Sequence, residues 1–228
     1  MNPIHNQPDL TEAPMVTLTV NDQTLSAPEG ASLLAVCLEH DIYIPHLCHI
    51  PGLDPPQASC RLCWVEIAGQ PAPVTACTVK ISAGLKVHTD TEAVRDLQRS
   101  GLRLLLSVHD IACKECPANR RCPLQDLARY LKFPLKAKPL ECYLKTPDID
   151  RSHPCIDYYQ NRCVLCGRCI RACDGGGQGP QLAFAKRGFA TVIRYFNLNP
   201  AADADCRECR ACVSACPVAA LRFRESGG

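Results

Sequence analysis

The cysteines of this sequence fall into groups whose spacing suits metal chemistry. The 228 residues include 18 cysteines, and the runs 163–173 and 206–216 repeat the frame C-x2-C-x2-C-x3-C. Three thiolates on such a loop hold three corners of a cubane [4Fe–4S] cluster, and the fourth cysteine serves the other cluster. The repeat therefore predicts two clusters with crossed ligands: Cys163, Cys166, Cys169 and Cys216 for one, and Cys206, Cys209, Cys212 and Cys173 for the other.

Paired zinc knuckles are the alternative for these two runs, because C-x2-C also suits zinc. Two complete copies of the frame favour iron. Cys216 precedes Pro217, as the cubane motif requires, whereas Cys173 precedes Asp174 and departs from it.

A third group of cysteines lies nearer the N-terminus, with the spacing C-x11-C-x2-C-x13-C. Four thiolates suit a [2Fe–2S] cluster, and a four-thiolate zinc site has the same ligands. The spacing alone does not separate the two, and the neighbouring cubane motifs favour iron. The predicted ligands are Cys48, Cys60, Cys63 and Cys77.

A fourth group has the order H-x3-C-x2-C-x5-C: His109, Cys113, Cys116 and Cys122. A lone histidine at a helix end often interacts with the terminal carbonyls instead. Three cysteines leave one corner of a cubane open, however, and imidazole is a competent iron ligand. We therefore predict a third [4Fe–4S] cluster in which His109 is the fourth ligand.

Three cysteines and five arginines fall outside these assignments. Cys37 is expected in the apolar core, and Cys142 and Cys155 are expected to bind no metal. The arginines within or beside the C-terminal runs either offset cluster charge or are ordinary solvated side chains: Arg162, Arg168, Arg171, Arg207 and Arg210.

The net charge and the distribution of apolar residues exclude several classes of protein. Twenty-five basic residues against 23 acidic ones give a net charge of +2, which excludes a strongly basic nucleic-acid binder. No apolar run approaches the roughly 18 residues that a membrane helix needs. The N-terminus has no secretory pattern. We therefore expect a cytoplasmic protein whose cysteines stay reduced, with no nucleic-acid or membrane partner.

The elements that must position these ligands can be read from local patterns. Segments 16–20, 24–27, 64–69 and 85–88 are strand-like, with a hairpin turn at Asn21-Asp22, and 31–40 has helical spacing. Thr89-x-x-Glu92 is a capping box for a helix that ends near His109. Pro123 begins a second helix. Residues 133–154 are expected to form a proline-containing linker or a strapping segment, and 184–193 a hairpin that turns at Arg187-Gly188.

The order of the motifs, HLC-x11-CRLC-x13-C, then H-x3-C-x2-C-x5-C, then two ferredoxin motifs, resembles a known electron-transfer module. It is similar to the N-terminal iron–sulfur region of the complex I large iron–sulfur subunit and of iron-only hydrogenases. Both of these continue into large further domains. The sequence most resembles the diaphorase small (gamma) subunit of soluble NAD-reducing nickel–iron hydrogenases.

The resemblance implies an α+β fold in three parts. These are a β-grasp [2Fe–2S] ferredoxin-like domain at 15–90, a helical His-ligated [4Fe–4S] segment with a linker at 91–150, and a two-cluster ferredoxin-like domain at 151–228. The implied cofactors are one [2Fe–2S] and three [4Fe–4S] clusters. The implied partners are a flavin/NAD-binding diaphorase subunit and the hydrogenase small and large subunits.

The sequence predicts an electron-relay subunit without a catalytic site of its own. The glycine run 175–179 lacks the spacing of a dinucleotide fingerprint and is expected to be a loop. The resemblance implies that the function is relay of electrons in hydrogen:NAD+ oxidoreduction. Alternatives are the equivalent subunit of an NAD-linked formate dehydrogenase or complex-I-like dehydrogenase, a stand-alone ferredoxin shuttle, and a zinc-stabilised interaction module.

Overall fold

A computed structural model describes residues 12–137, 141–173, 181–196 and 202–224, with side chains from 206 onward in the last range. The chain divides into two compact units, Met1–Leu102 and Arg103–Gly228. The glycine run 175–179 and Asp174 lie outside the described residues.

The first unit is built on a five-stranded sheet. Its strands are β1 (Met15–Val20), β2 (Gln23–Pro28), β3 (Trp64–Ile67), β4 (Val74–Thr75) and β5 (Lys86–His88). Their order in the sheet is β2-β1-β5-β3-β4; β1 and β5 pair in parallel, and the other neighbours are antiparallel. The predicted strands are confirmed, and β4 is additional because a strand of two residues is too short to show alternation in the sequence.

The turn between β1 and β2 is the one predicted. Asn21 and Asp22 both have positive φ values, 47° and 68°, as a two-residue turn needs when its twist matches that of the strands. The resulting register pairs Val20 with Gln23 and carries Leu18 and Val20 into the core.

Helix α1 (Leu33–Glu39) supplies the other half of that core. Leu33, Leu34 and Cys37 are fully or almost fully buried in one apolar cluster with the inward-facing residues of the sheet. Burial raises the pKa of the Cys37 thiol to about 11. The expectation that Cys37 is a core residue is confirmed.

Helix α2 (Glu92–Ser107) begins differently from the prediction. The hydroxyl of Thr91, not that of Thr89, caps it by accepting a 3.2 Å hydrogen bond from the backbone N–H of Val94. Thr89 instead bonds through its hydroxyl and its backbone N–H to the Asn21 side chain. The capping-box assignment was therefore wrong, because a long-range partner outcompeted the local one.

The second unit contains the predicted helix α3 (Pro123–Tyr130), with Pro123 at its first turn and Leu124 and Leu127 buried. The segment predicted as a linker also contains the short strand β6 (Ile149–Asp150), which pairs with β7 (Ile156–Tyr159). Strand β10 (Leu221–Phe223) completes an antiparallel sheet in the order β10-β7-β6.

The two cysteine runs share a local fold. The third cysteine of each run lies in a short helix, α4 (Arg168–Ala172) or α6 (Ala211–Ser214), which follows a residue in the left-handed region. Helix α5 (Ala202–Cys209) leads into the second run. Between the runs lies the predicted hairpin of β8 (Leu182–Ala185) and β9 (Val192–Tyr195), which turns through 188–190.

None of the helices within the described ranges is long and apolar enough to cross a membrane.

Candidate metal centres

The four cysteines predicted to hold a [2Fe–2S] cluster are all buried, with 2–5% of their surface exposed. Cys48 follows α1, Cys60 and Cys63 precede β3, and Cys77 lies in the 3₁₀ turn after β4. A 2.7 Å hydrogen bond from the N–H of Ala76 to the carbonyl of Cys63 ties two of these loops together. Three separate loops therefore bring four thiols to one place.

These thiols interact in two pairs. The Sγ atoms of Cys48 and Cys60 are 3.4 Å apart. Their shared hydrogen bond lowers the pKa of Cys48 to about 5 and raises that of Cys60. Hydrogen bonding likewise raises the pKa of Cys63 and lowers that of Cys77. Cys48 and Cys77 also repel one another electrostatically, so the two pairs form a single group of four.

Residues outside the four cysteines stabilise the loop between Cys60 and Cys63. Arg61 has a φ of 52°, and its guanidinium lies 4.5 Å above the ring of Trp64. The carbonyl of Trp64 accepts a 3.2 Å hydrogen bond from Nε2 of Gln98, which is fully buried on α2. Helix α2 thus fixes the loop that carries two of the thiols.

The three cysteines after His109 also come together. Cys122 precedes α3, and Cys113 begins a 3₁₀ turn. Burial raises the pKa of Cys122, and repulsion from Cys116 and Cys113 adds to that rise. A mutual interaction of this kind places the three thiols within electrostatic range of one another.

His109 lies two residues beyond the end of α2 and is partly buried. Burial lowers its pKa to about 4, so the imidazole is neutral at physiological pH. Its Nδ1 is buried without a hydrogen-bond partner among the described residues. The interactions that the structure records for it are with Asp110 and Arg162, not with the three cysteines. A neutral imidazole with a buried free nitrogen is a suitable metal ligand.

The predicted ligands of the first cubane line one small apolar cavity. Three of them come from the first cysteine run and the fourth from the second, which is the crossed arrangement: Cys163, Cys166, Cys169 and Cys216. Burial, with a smaller contribution from the neighbouring thiols of Cys163 and Cys216, raises the pKa of Cys166 to about 12.

Several groups that line this cavity or lie beside it donate hydrogen bonds to the cysteine sulfur atoms. The N–H groups of Leu165 and Ala220 donate to Sγ of Cys163 and Cys216, at 3.4 and 3.1 Å. The buried hydroxyl of Tyr158 is also hydrogen-bonded to Cys163, and it accepts a bond from the N–H of Ile193 at 3.2 Å. Donors of this kind favour sulfur in its charged form.

The second crossed set is centred on Cys212. Burial raises its pKa to about 12, and the next contributions come from Cys173 and Cys206, with a smaller one from Cys209. Cys173 therefore lies beside the cysteines of the second run, although it belongs to the first. Cys206 and Cys209 are more exposed than the other two.

Two tyrosines and one lysine near these thiols were not identified from the sequence. Tyr158 bonds to Cys163, and Tyr195 has a buried hydroxyl with no partner among the described residues. Tyr195 interacts electrostatically with Cys212, and Lys145 with Cys163. The strand alternation that turns Tyr158 inward was the one available signal.

The two cysteines left outside the predicted ligand sets, Cys142 and Cys155, differ in exposure. Cys142 is exposed. Cys155 is fully buried, with Sγ 3.6 Å from Nδ1 of His153. Within the described ranges, no three His, Cys, Asp or Glu side chains are arranged to hold a single metal ion.

Iron–sulfur clusters are held by thiolates, with imidazole replacing some of them, and these groups offer that chemistry. Comparison with known proteins supports the assignment. Residues 13–92 match the 2Fe-2S iron-sulfur cluster binding domain, and residues 162–221 match the 4Fe-4S dicluster domain. The chain contains a 2Fe-2S domain and a 4Fe-4S dicluster domain. The prediction of iron–sulfur domains with mixed helix and strand content is confirmed.

Relatives of these iron–sulfur domains occur in redox complexes. The chain is 33% identical over 208 residues to a subunit of an NADH-quinone oxidoreductase of Rhizobium meliloti (strain 1021), covering 91% of this chain and 24% of that protein. It is 33% identical over 217 residues to NADP-reducing hydrogenase subunit HndD of Solidesulfovibrio fructosivorans, covering 91% and 36%. The chain thus spans about a quarter to a third of the length of these relatives.

A solved structure matches the iron–sulfur chain over almost its whole length. It is the NAD+-reducing [NiFe]-hydrogenase in the H2-reduced state, with a TM-score of 0.76 and 28% identity. The match covers 93% of this chain and 88% of that one. The resemblance predicted from the order of the cysteine motifs is confirmed.

Proposed function

We propose that this chain is an electron-transfer subunit that relays electrons between a flavin/NAD(H)-binding subunit and a hydrogenase module. The observation that carries the proposal is the near full-length match to a chain of an NAD+-reducing [NiFe]-hydrogenase. The hydrogenase small and large subunits and a flavin-containing diaphorase subunit would be its partners. The chain would take part in hydrogen:NAD+ oxidoreduction as one subunit, with no catalytic site of its own.

The cofactors that fit are one [2Fe–2S] and three [4Fe–4S] clusters. The [2Fe–2S] ligands would be Cys48, Cys60, Cys63 and Cys77, in a β-grasp domain at 15–90. The His-ligated [4Fe–4S] segment at 91–150 would use His109, Cys113, Cys116 and Cys122. The domain at 151–228 would use Cys163, Cys166, Cys169 and Cys216 for one cluster, and Cys173, Cys206, Cys209 and Cys212 for the other.

When bound, such clusters gain and lose one electron at a time. The surrounding residues exclude water from the thiols and donate hydrogen bonds to sulfur, and both effects set the reduction potential. A 2.7 Å hydrogen bond from the N–H of Asp110 to the carbonyl of Asn161 ties the segment after His109 to the segment before Cys163. This connection supports direct electron transfer between the two cubanes of those segments.

A second candidate is the equivalent subunit of a complex-I-like dehydrogenase or an NAD-linked formate dehydrogenase. The similarity to a subunit of an NADH-quinone oxidoreductase favours the complex-I-like form. The cysteines of the described residues are all free of disulfides, which supports a reducing compartment such as the cytoplasm.

Metal analysis of the anaerobically purified full chain tests the cluster content. We expect about 14 iron atoms per chain, matched by acid-labile sulfide, and no stoichiometric zinc. About four zinc atoms per chain would overturn the proposal. Purification with the partners then distinguishes a hydrogenase from a formate dehydrogenase, because nickel in the complex indicates the former and molybdenum indicates the latter.

A further inference from the structure

The charged group of Lys145 has no hydrogen-bond partner among the residues of the second unit that the structure describes. Its Nζ is buried and makes no hydrogen bond within the described part of the chain. Burial lowers the pKa of the ammonium group. An unpaired cation away from water is costly, so a compensating negative charge is needed nearby.

The backbone of Lys145 is held in place by one buried side chain. Its N–H donates to Oδ1 of Asn161 at 2.7 Å, and its carbonyl accepts from Nδ2 of the same residue at 3.0 Å. That Nδ2 also donates to Oδ1 of Asp148 at 2.9 Å. Asn161 is only 4% exposed. A side chain that uses both its donor and its acceptor in this way fixes the direction in which Lys145 leaves the backbone.

This anchor lies next to the first cubane site. Asn161 is two residues before Cys163, which lines the cavity with Cys166, Cys169 and Cys216. The Cys163 thiolate partly opposes the effect of burial on the pKa of Lys145, and the ammonium group in turn lowers the pKa of Cys163 against its burial. Lys145 and Cys163 therefore interact, although they are 18 positions apart in the sequence.

We propose that the ammonium group of Lys145 is the internal counter-cation of the [4Fe–4S] cluster held by Cys163, Cys166, Cys169 and Cys216, and that it raises the reduction potential of that cluster. The inference rests on the cluster assignment in the proposed function. Reduction adds one electron, supplied by a neighbouring cluster, and therefore one negative charge. A buried positive charge stabilises the reduced state more than the oxidised state. The ammonium keeps its proton throughout, so the step transfers one electron and no proton.

The test is a redox titration of the full-length, cluster-loaded chain, monitored by electron paramagnetic resonance. In Lys145→Met, which keeps the length of the side chain and removes its charge, we expect one cubane to become harder to reduce. At the original midpoint the ratio of oxidised to reduced cluster should rise about tenfold, which is about 59 mV for a one-electron couple. In Lys145→Arg the charge remains, and the ratio should stay within about threefold.

Lys132→Met is the matched control, because it removes the same charge from an exposed position of the same unit, where solvent screens it. Unchanged midpoints in Lys145→Met, or an equal shift in Lys145→Arg, would overturn the inference. If Lys145→Met loses iron, Lys145→Gln makes the same test with a polar side chain. An unmodified chain without iron would instead refute the proposed function, so the two failures are distinguishable.

Discussion

The backbone of Gly101 lies directly against the carbonyl oxygen of Arg61. A Cβ atom at position 101 would be 2.5 Å from that oxygen and 3.3 Å from its carbon. Arg61 lies between Cys60 and Cys63, so helix α2 packs against the backbone of the loop that presents two thiols. A glycine is required here because no side chain fits between the helix and the loop.

Gly101→Ala should therefore destabilise the first unit and weaken its [2Fe–2S] site. Alanine alone would favour the helix by about 1 kcal/mol, but the overlap with backbone cannot be relieved by rotating a side chain. We expect a net loss of about 1–3 kcal/mol. Thermal unfolding and the visible absorption of the reconstituted chain measure the two effects. Ser100→Ala, at an exposed position of the same helix, should change neither, and a Gly101→Ala chain as stable as the unmodified one would contradict the prediction.

His109→Cys should keep a [4Fe–4S] cluster and lower its potential. Thiolate adds one negative charge that neutral imidazole lacks, and extra negative charge makes reduction harder. His109→Ala should leave one iron corner open and favour conversion to a [3Fe–4S] form. Redox titration with electron paramagnetic resonance distinguishes these states. If both variants give the same signals and midpoints as the unmodified chain, His109 is not a ligand of the cluster.

Cys173→Ala should damage the cluster of the second cysteine run more than that of the first. The Cys173 thiol interacts electrostatically with the thiol of Cys212, which belongs to the second run. Iron content should fall by about four atoms per chain if the cluster is lost. Cys142→Ala, at an exposed cysteine, is the control and should retain all iron. Selective loss of the cluster at Cys163 would show that the ligands do not cross.

Tyr158→Phe should lower the potential of the cluster at Cys163 and reduce stability. The variant removes a hydrogen bond to sulfur, which favours the charged, reduced state, and it leaves the N–H of Ile193 without its acceptor. The unsatisfied N–H costs about 1–3 kcal/mol. Tyr159→Phe is the matched control, because it lies on the same strand and its ring faces the other way, under the Arg162 guanidinium. Equal midpoints and equal melting temperatures in the two variants would contradict this role.

The cysteine groups could be predicted because ligand spacing is a local property. Cys163, Cys166 and Cys169 must lie on one tight loop to hold one cluster. Their short spacing can therefore be recognised in the sequence without knowledge of the fold. The crossed partner Cys216 followed from the repeat. Helices α1 and α3 were readable for the same reason, since an apolar stripe repeats within a few residues.

The groups that surround the thiols could not be predicted. Lys145 interacts electrostatically with Cys163, and its backbone is hydrogen-bonded to Asn161. Both interactions depend on the folded arrangement of the second unit. Thr89 has a good capping-box sequence, yet Asn21 engages its hydroxyl from 68 residues away. Strands β6 and β10 are two and three residues long, too short to show alternation.

The parallel pairing of β1 with β5 has a consequence for synthesis on the ribosome. Thr19 pairs with Lys86, so the first strand cannot complete its hydrogen bonds until the last strand of the sheet has been translated. At about 5–20 residues per second this interval is roughly 3–13 s. All four cysteines of the first site are made within it. The nascent chain therefore presents its thiols before the sheet that will bury them has closed, and this interval is when the site is most accessible to iron delivery and most exposed to oxidation.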